Sequence, residues 1–446
     1  MLDIVLFGEE LIKNIMEVID RKHSPKINEI KQAEIIRASE FRLKNNIPVY
    51  HINAGTQDLV KIELLFPAGM WQQPSPLVGS AASAMLQEGT SKRSSKEIAE
   101  TVDYYGAFLE TNITHDYASV AIYSMNKHLP SVLPVVKEII NDSVFSQSEW
   151  DVYLWNKKQA FIVNEKKVSV VSRKKFAELL FGNEHPYGHN VSEKDFDELK
   201  RQDAFDFYKK SYTAKDTIIV ASGNVTDATL KFIEKYFGST PASPFLSTSD
   251  SKKWGNGEGE KKGGTHLVEK KDALQSAIRI GKILFTKEHP DYPAMLVLNT
   301  IFGGYFGSRL MANIREDKGY TYGIGSGMVS LSHAGYFTIS TEVGADVTKD
   351  AVKEIYFELN KIQTEKVSDS ELALVRNYML GTFLRSIDGP FALADRFKGI
   401  HFNNLGYDYY ERYVETIRSI SSGKLMELAN KYWKKEDMIE LVVGKK

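Results

Sequence analysis

Ser239-Thr-Pro-Ala-Ser-Pro244, Ser247-Thr-Ser-Asp-Ser-Lys-Lys253 and Gly255-Asn-Gly-Glu-Gly-Glu-Lys-Lys-Gly-Gly264 follow one another near the middle of a chain of 446 residues. A stretch this rich in Gly, Pro, Ser and charge has little apolar surface to bury. It cannot offset the entropy of ordering its backbone, and it reads as a linker. The chain then divides into an extension (1–30), an N-terminal lobe (31–240), the linker (241–265) and a C-terminal lobe (266–446). Two lobes of roughly 200 residues also suit the length, which exceeds what one hydrophobic core usually organises.

The two lobes read as copies of one unit. Leu64-Leu65-Phe66 matches Ile283-Leu284-Phe285, and Val136-Lys137-Glu138-Ile139 matches Val352-Lys353-Glu354-Ile355. Ser146-Gln147-Ser148-Glu149 matches Ser368-Asp369-Ser370-Glu371, and Lys215-Asp216 before Ile218 matches Glu436-Asp437 before Ile439. The offsets of 219, 216, 222 and 221 are nearly constant, which points to a duplication and constrains the fold.

Within each lobe, Val49–Asn53 and Val60–Phe66 largely alternate apolar and polar residues, as half-buried strands do. Residues 78–88 and 94–105 carry helical spacing, Phe108–Ser124 reads as a strand pair, and Ile218–Gly223 as a closing strand. Ser-x-Ser-Glu patterns at 146–149 and 368–371 have the spacing of a capping box opening a long helix. The fold class is therefore α+β: two homologous lobes, each a mostly antiparallel sheet with helices packed on one face.

Composition removes several functions. The net charge of −1 gives no general attraction to nucleic acid or anionic lipid. The absence of cysteine excludes disulfides, thiolate metal sites and cysteine nucleophiles. No run of 18 apolar residues occurs, so no membrane span is expected, and the first residues do not read as a secretory leader. The expected compartment is the cytoplasm, with the periplasm as the alternative.

Phe41-Arg-Leu-Lys-Asn-Asn-Ile-Pro-Val-Tyr50, Leu64-Leu-Phe-Pro-Ala-Gly69, Glu88-Gly-Thr90, Tyr105-Gly-Ala107 and His185-Pro-Tyr-Gly188 occur in that order. Gly303-Gly304-Tyr-Phe-Gly307-Ser308-Arg309-Leu310 and Ile314-Arg315-Glu-Asp-Lys-Gly319-Tyr-Thr-Tyr322 follow in the second lobe. In this combination the chain resembles the M16 (pitrilysin and mitochondrial processing peptidase-like, inverzincin) family over about residues 30–446. Within it, the chain is similar to the non-catalytic subunits of subfamily B type. The resemblance implies two LuxS/metallohydrolase-like lobes that face a second such pair across a cavity. Peptides would bind there by adding a strand to a sheet edge.

A member with its own chemistry carries H-x-x-E-H on a helix and a distant Glu ligand: two imidazoles and a carboxylate hold zinc, and the motif Glu is the base for the bound water. Counted back from Gly89-Thr90, that motif falls on Ser80-Ala81-Ala82-Ser83-Ala84, so Ser80, Ser83 and Ala84 occupy the ligand and base positions. The distant ligand is expected in 158–164, Lys-Gln-Ala-Phe-Ile-Val-Asn, which holds no carboxylate. His115, His185 and His189 form the one other histidine group to weigh. Pro186 and Gly188 interrupt a helix that would align His185 with His189, so the group reads as loop-shaping and the metal assignment is none. The run of small residues 79–84 suits close helix packing, with an open cavity wall as the alternative.

Arg315 and Tyr322, seven residues apart, match the Arg/Tyr pair of the family's later half. The resemblance implies that they support a zinc site carried by a partner subunit. A Tyr hydroxyl donates to an oxyanion, and an Arg holds a carbonyl or carboxylate. The competing view is that Arg315 pairs with a nearby acid and Tyr322 fills a strand face. Gly303, Gly304, Gly307 and Ser308 form a loop that either contacts peptide substrate or simply turns between helices. No cofactor is expected in this chain. Zinc is expected in an H-x-x-E-H-bearing M16 partner within a heterodimer, with a homodimer as another state of the isolated chain. The alternatives to a substrate-binding peptidase subunit are a stand-alone peptide binder and a purely structural homologue without proteolysis.

Overall fold

The computed structural model describes residues 34–212, 216–239 and 263–445. The proposed extension 1–30 and nearly all of the proposed linker lie outside the described residues; the final linker residues Gly264 and Thr265 already belong to a strand. In the N-terminal lobe the elements are β1 (Ser39–Arg42), β2 (Pro48–Asn53), β3 (Leu59–Phe66), α1 (Val78–Met85), α2 (Ser95–Tyr104), β4 (Phe108–Ile113) and β5 (Ala118–Met125). They continue with α3 (Leu129–Asp142), α4 (Gln147–Asn164), α5 (Val168–Phe181), α6 (Glu193–Glu198), α7 (Arg201–Ser211), β6 (Ile218–Gly223) and α8 (Asp227–Phe237). The C-terminal lobe comprises β7 (Gly264–Glu269), β8 (Gln275–Leu284), α9 (Tyr292–Asn299), β9 (Ile324–Ser330), β10 (Gly335–Gly344), α10 (Thr348–Thr364) and α11 (Asp369–Arg385). It closes with α12 (Pro390–His401), α13 (Asp408–Ser419), α14 (Ser422–Tyr432) and β11 (Ile439–Gly444). Two π-helical segments, Thr300–Gly304 and Met311–Asp317, lie between α9 and β9.

The duplication is visible in the sheets. Their orders are β1-β2-β6-β3-β5-β4 and β7-β11-β8-β10-β9, the same apart from the extra edge strand β1. In both, one pair is parallel (β2 with β6, β7 with β11) and the rest are antiparallel. Both closing strands end on a glycine at positive φ, Gly223 at 120° and Gly444 at 138°. A Cβ there would strike the neighbouring strand, Leu59 O at 2.2 Å or Ser276 Cα at 2.8 Å, so the residue type is dictated twice by the same geometry.

Two of the four sequence matches fall three residues from the true structural equivalence. α3 buries Leu129, Val132, Leu133, Val136, Ile139 and Ile140, and α10 buries Thr348, Ala351, Val352, Ile355, Glu358 and Leu359 in the same rhythm. Val136 therefore corresponds to Ile355, not Val352. Likewise Glu63 pairs with Val220 and Ala121 just as Arg279 pairs with Leu441 and Ser340, so β8 is displaced relative to the Leu64–Ile283 match. In the helices apolar residues recur every three or four positions, so that match slips by one turn, and in the strands a run of three apolar residues is too short to fix the register.

One face of each sheet packs on helices of its own lobe. In the N-terminal lobe, Ile62, Leu64 and Val120 meet α1, α3 and α7 through Ala81, Met85, Val136 and Tyr208. In the C-terminal lobe the fully buried Trp433 stacks on Phe337 at 4.5 Å and meets Phe302 at 5.1 Å. The opposite faces are covered by exchange. α12 of the second lobe lays Leu393, Ala394 and Phe397 on Ile52, Leu65 and Val220 of the first sheet. α5 of the first lobe lays Phe176, Leu180 and Phe181 on Ile439, Leu441 and Val443 of the second. Packing therefore crosses the chain division that composition suggests. Each lobe lends the other a lid, and buried apolar surface at about 25 cal/mol per Å² ties the two together.

Candidate functional site

The segment where the zinc motif would fall is helix α1. Gly79, Ala81, Ala82 and Ser83 are buried. Gly79 sits so near β4 that a Cβ would lie 2.8 Å from Ile113 Cδ1. Ser80 donates its hydroxyl to Leu77 O at 2.9 Å, and the Tyr153 hydroxyl of α4 lies within reach of it. Burial pushes the Tyr153 phenol up to about 12, with the Ser80 contact opposing. Ser83 lies against Tyr212, whose phenol burial also pushes up. The wall at α1 is thus filled by two tyrosines rather than left open. Ser80, Ser83 and Ala84 offer neither imidazole nor carboxylate. Glu149 of α4 accepts from the Ser95 hydroxyl at 3.0 Å. These residues do not fit a zinc ion, and no step through one is derived for this chain. The α4 side chain that reaches Ser80 is that of Tyr153, which carries no carboxylate.

Both Ser-x-Ser-Glu patterns open long helices, as their spacing implies, but as half boxes. Ser146 and Ser368 accept from the backbone N–H of Glu149 and Glu371. The carboxylates are spent on tertiary contacts instead, Glu149 on Ser95 and Glu371 on Arg309 in a two-pronged pair at 2.9 and 2.8 Å.

Arg315 and Tyr322 lie on either side of a tied-down turn. Arg315 ends the second π-helical segment; its guanidinium lies 4.5 Å from the Phe306 ring centroid and 3.5 Å from Glu316. Gly319 then turns at φ 67°, and Tyr320 N donates to Ile314 O at 3.0 Å. Thr321 donates to Glu342 O at 2.7 Å and Thr341 donates to Gly323 O at 3.0 Å, so both flanks of Tyr322 are pinned. Tyr322 itself is 96% exposed. It rims a hollow of about 400 Å³ lined by Arg279, Ser172, Ser340 and Glu342 among others; Arg315 is not among its lining residues. The glycines split between two roles. Gly303 is buried against β9, where a Cβ would meet Ser326 Oγ at 2.5 Å, whereas Gly304 and Gly307 are exposed. Ser308 is buried, its hydroxyl without a hydrogen-bond partner among the described residues.

The histidine group reads as structural. His185 Nδ1 accepts from Tyr187 N at 3.1 Å, and its ring stacks on Phe181 at 5.3 Å. Tyr187 donates to Asp116 at 2.5 Å, and Asp116 accepts from Ser332 N at 3.1 Å, joining the lobes. Trp71 stacks on His333 at 4.0 Å across the same junction. Neither Trp71 nor His333 stands out in the sequence, because nothing local to either indicates that they meet. Among the described residues no group of three or more His, Cys, Asp or Glu is placed to hold a metal, and no helix is long and apolar enough to cross a membrane.

Matched sheet orders and exchanged helices define a duplicated, two-lobed α+β scaffold. Family models described as "Insulinase (Peptidase family M16)" and "Peptidase M16 inactive domain" match residues 49–180 and 198–379, and the chain belongs to the M16 peptidase family. It is 24% identical over 314 residues to the "Uncharacterized zinc protease YmxG" of Bacillus subtilis, covering 68% of this chain and 73% of that protein. It is likewise 24% identical over 404 residues to an "Uncharacterized zinc protease" of Rickettsia felis, covering 87% and 93%. Among solved structures, a "peptidase M16 inactive domain" from Pseudomonas fluorescens superposes with a TM-score of 0.81 at 20% identity, covering 92% of this chain and 98% of that one.

Proposed function

We propose that this chain is the non-catalytic, substrate-binding subunit of a heteromeric M16 zinc peptidase. Its partner supplies H-x-x-E-H and the zinc, and this chain supplies Tyr322, and with it Arg315, to the bound peptide. The observation that carries the reading is the contrast between two places in the molecule. α1 is packed shut around serine and alanine, whereas Tyr322 is fully presented on a turn pinned at both flanks. A side chain of this size so exposed, on so constrained a backbone, suits a group that acts outside its own lobe. The phenol would donate a hydrogen bond to the oxyanion formed at the partner's zinc. β4, an edge strand with Phe108 exposed, packs beside α1 and offers an edge on which a peptide can add a strand. The exposed Gly304 and Gly307 suit contact with that peptide.

The test is peptide turnover by the 1:1 complex with an H-x-x-E-H-bearing M16 subunit. Tyr322→Phe should lower kcat by about 100-fold, the usual scale for loss of one oxyanion donor, with complex formation unchanged. Turnover equal to wild type would refute the assigned role. A second reading, a structural or stand-alone peptide-binding homologue, draws on Arg315: its guanidinium is engaged by Phe306 and Glu316. Under that reading no partner gains activity from the chain. The cytoplasm is the compartment we propose for the assembly.

A further inference from the structure

We propose that the hollow beneath Tyr322 is a carboxylate-binding pocket, anchored by Arg279, that takes the C-terminal carboxylate of a peptide. The case rests on a comparison the molecule makes with itself. Glu63 on β3 and Arg279 on β8 occupy equivalent places in the two sheets, fixed by their pairing with Val220 and Ala121 in one case and Leu441 and Ser340 in the other. Both sit on the sheet face covered by the helix that the opposite lobe lends. In the first lobe the charge is neutralised within the protein: Lys398 of the lent helix α12 donates to Glu63 at 2.7 Å, and Lys61 lies 3.0 Å away. In the second lobe the lent helix α5 brings Arg279 only the Ser172 hydroxyl, at 3.3 Å from Nε. No carboxylate stands within ion-pair distance of Arg279 among the described residues.

A guanidinium carries five donors in a rigid fork matched to a carboxylate, and a half-buried one without its counter-ion is costly. α5 covers β11 and part of β8 but leaves the strip over Arg279 and Ser340 as the open hollow of about 400 Å³. Only one of the guanidinium's five donors, the Nε–H, is engaged by protein. The other groups beside it are uncharged at neutral pH: the Tyr336 phenol and the hydroxyls of Ser169 and Ser340, with Gly323 in the lining. Arg173, exposed on α5, adds positive charge, and Glu342, exposed on the lining, adds the one nearby negative charge. The volume exceeds what a free small carboxylate fills and suits the last residues of a chain, the terminal carboxylate on Arg279 and the preceding residues running out past Tyr322. The site needs no metal and no partner, so it stands or falls separately from the function proposed above.

Isothermal titration of the full-length isolated chain at low ionic strength tests it. The probes are an N-acetylated alanine-leucine pentapeptide with a free C-terminus, the same peptide as its C-terminal amide, the amide with one internal glutamate, and sodium acetate. The free acid should bind at least ~10-fold more tightly than the amide, the scale of a charge-assisted, two-pronged pair. Arg279→Gln should abolish that preference while its circular dichroism spectrum and melting curve match wild type, and Arg279→Lys should keep part of it. Equal affinity for acid and amide in the wild-type chain overturns the pocket without recourse to any variant, as does a folded Arg279→Gln protein that keeps the preference. Binding of the internal-glutamate amide as tight as the free acid, or displacement of the peptide by acetate at equal concentration, overturns the C-terminus as the occupant.

Discussion

Single residues decide whether this scaffold holds its charges internally or leaves them open to a ligand. The Glu63 carboxylate is buried between Lys61 and Lys398, and Lys398 also reaches Asp395 at 2.9 Å. Burial favours loss of the Lys398 proton, but Glu63 and then Asp395 outweigh it, so its pKa lies well above the ordinary lysine value. Removing Glu63 leaves two buried ammonium groups facing each other, whereas removing Lys398 leaves Glu63 its second partner. Glu63→Gln should therefore cost about 3–5 kcal/mol, the range for stranding one half of a buried pair, and Lys398→Met distinctly less. Urea midpoints of the two variants check the order; equal midpoints would contradict the shared-carboxylate arrangement. None of this was legible in the sequence. Glu63 and Lys398 are 335 residues apart, and only the helix exchange brings them together.

Among the elements, strands and long helices were readable and their neighbours were not. The alternation in Val60–Phe66 and the serine caps at 146 and 368 identify β3, α4 and α11 from local chemistry alone, but β3 is buried on both faces rather than half-buried, because α12 covers the side that carries Lys61 and Glu63. The small residues of α1 were equally plain, but what closes over them was not, because Tyr153 and Tyr212 arrive from α4 and from the end of α7. That packing leads to a prediction. Restoring the motif by Ser80→His, Ser83→Glu and Ala84→His should not create a zinc site, since Ser83 is buried against Tyr212 and α4 presents Tyr153 rather than a carboxylate. Zinc content of the purified triple variant, by atomic emission, should stay far below one per chain, and the substitutions should lower stability by about 1–3 kcal/mol or more through overpacking. Stoichiometric zinc would show that the helix is more accommodating than its packing implies.

At the scale of the whole molecule the lobes are joined by two lent helices and one aromatic junction, where Trp71, His115, His185, Tyr187 and His333 gather around Asp116. Burial lowers the pKa of His115, against the pull of Asp116. It also lowers that of His185, to which the charge of His333 adds. For groups held low in the folded state, the unfolded chain binds protons first, so stability is full above about pH 6.5 and falls as pH drops through the folded values. The melting temperature should decline between pH 7.5 and 5.5, and His185→Gln should flatten that decline while lowering stability at pH 7.5. A slope unaltered in the variant would remove His185 from the account. The duplication behind this architecture could be read from four short matches, although two of them were slipped by three residues, because apolar words of three or four residues do not fix register by themselves.

The central claim is that this chain contributes to peptide cleavage only by joining a subunit that carries the zinc. The most direct measurement is peptide hydrolysis by the purified chain alone, by an H-x-x-E-H-bearing M16 subunit alone, and by the two mixed at 1:1, with zinc quantified in each. The account predicts no hydrolysis and no zinc in this chain alone, and activity in the mixture well above that of the other subunit by itself. Hydrolysis with stoichiometric zinc in the isolated chain, or a mixture no more active than the H-x-x-E-H-bearing subunit alone, would contradict it.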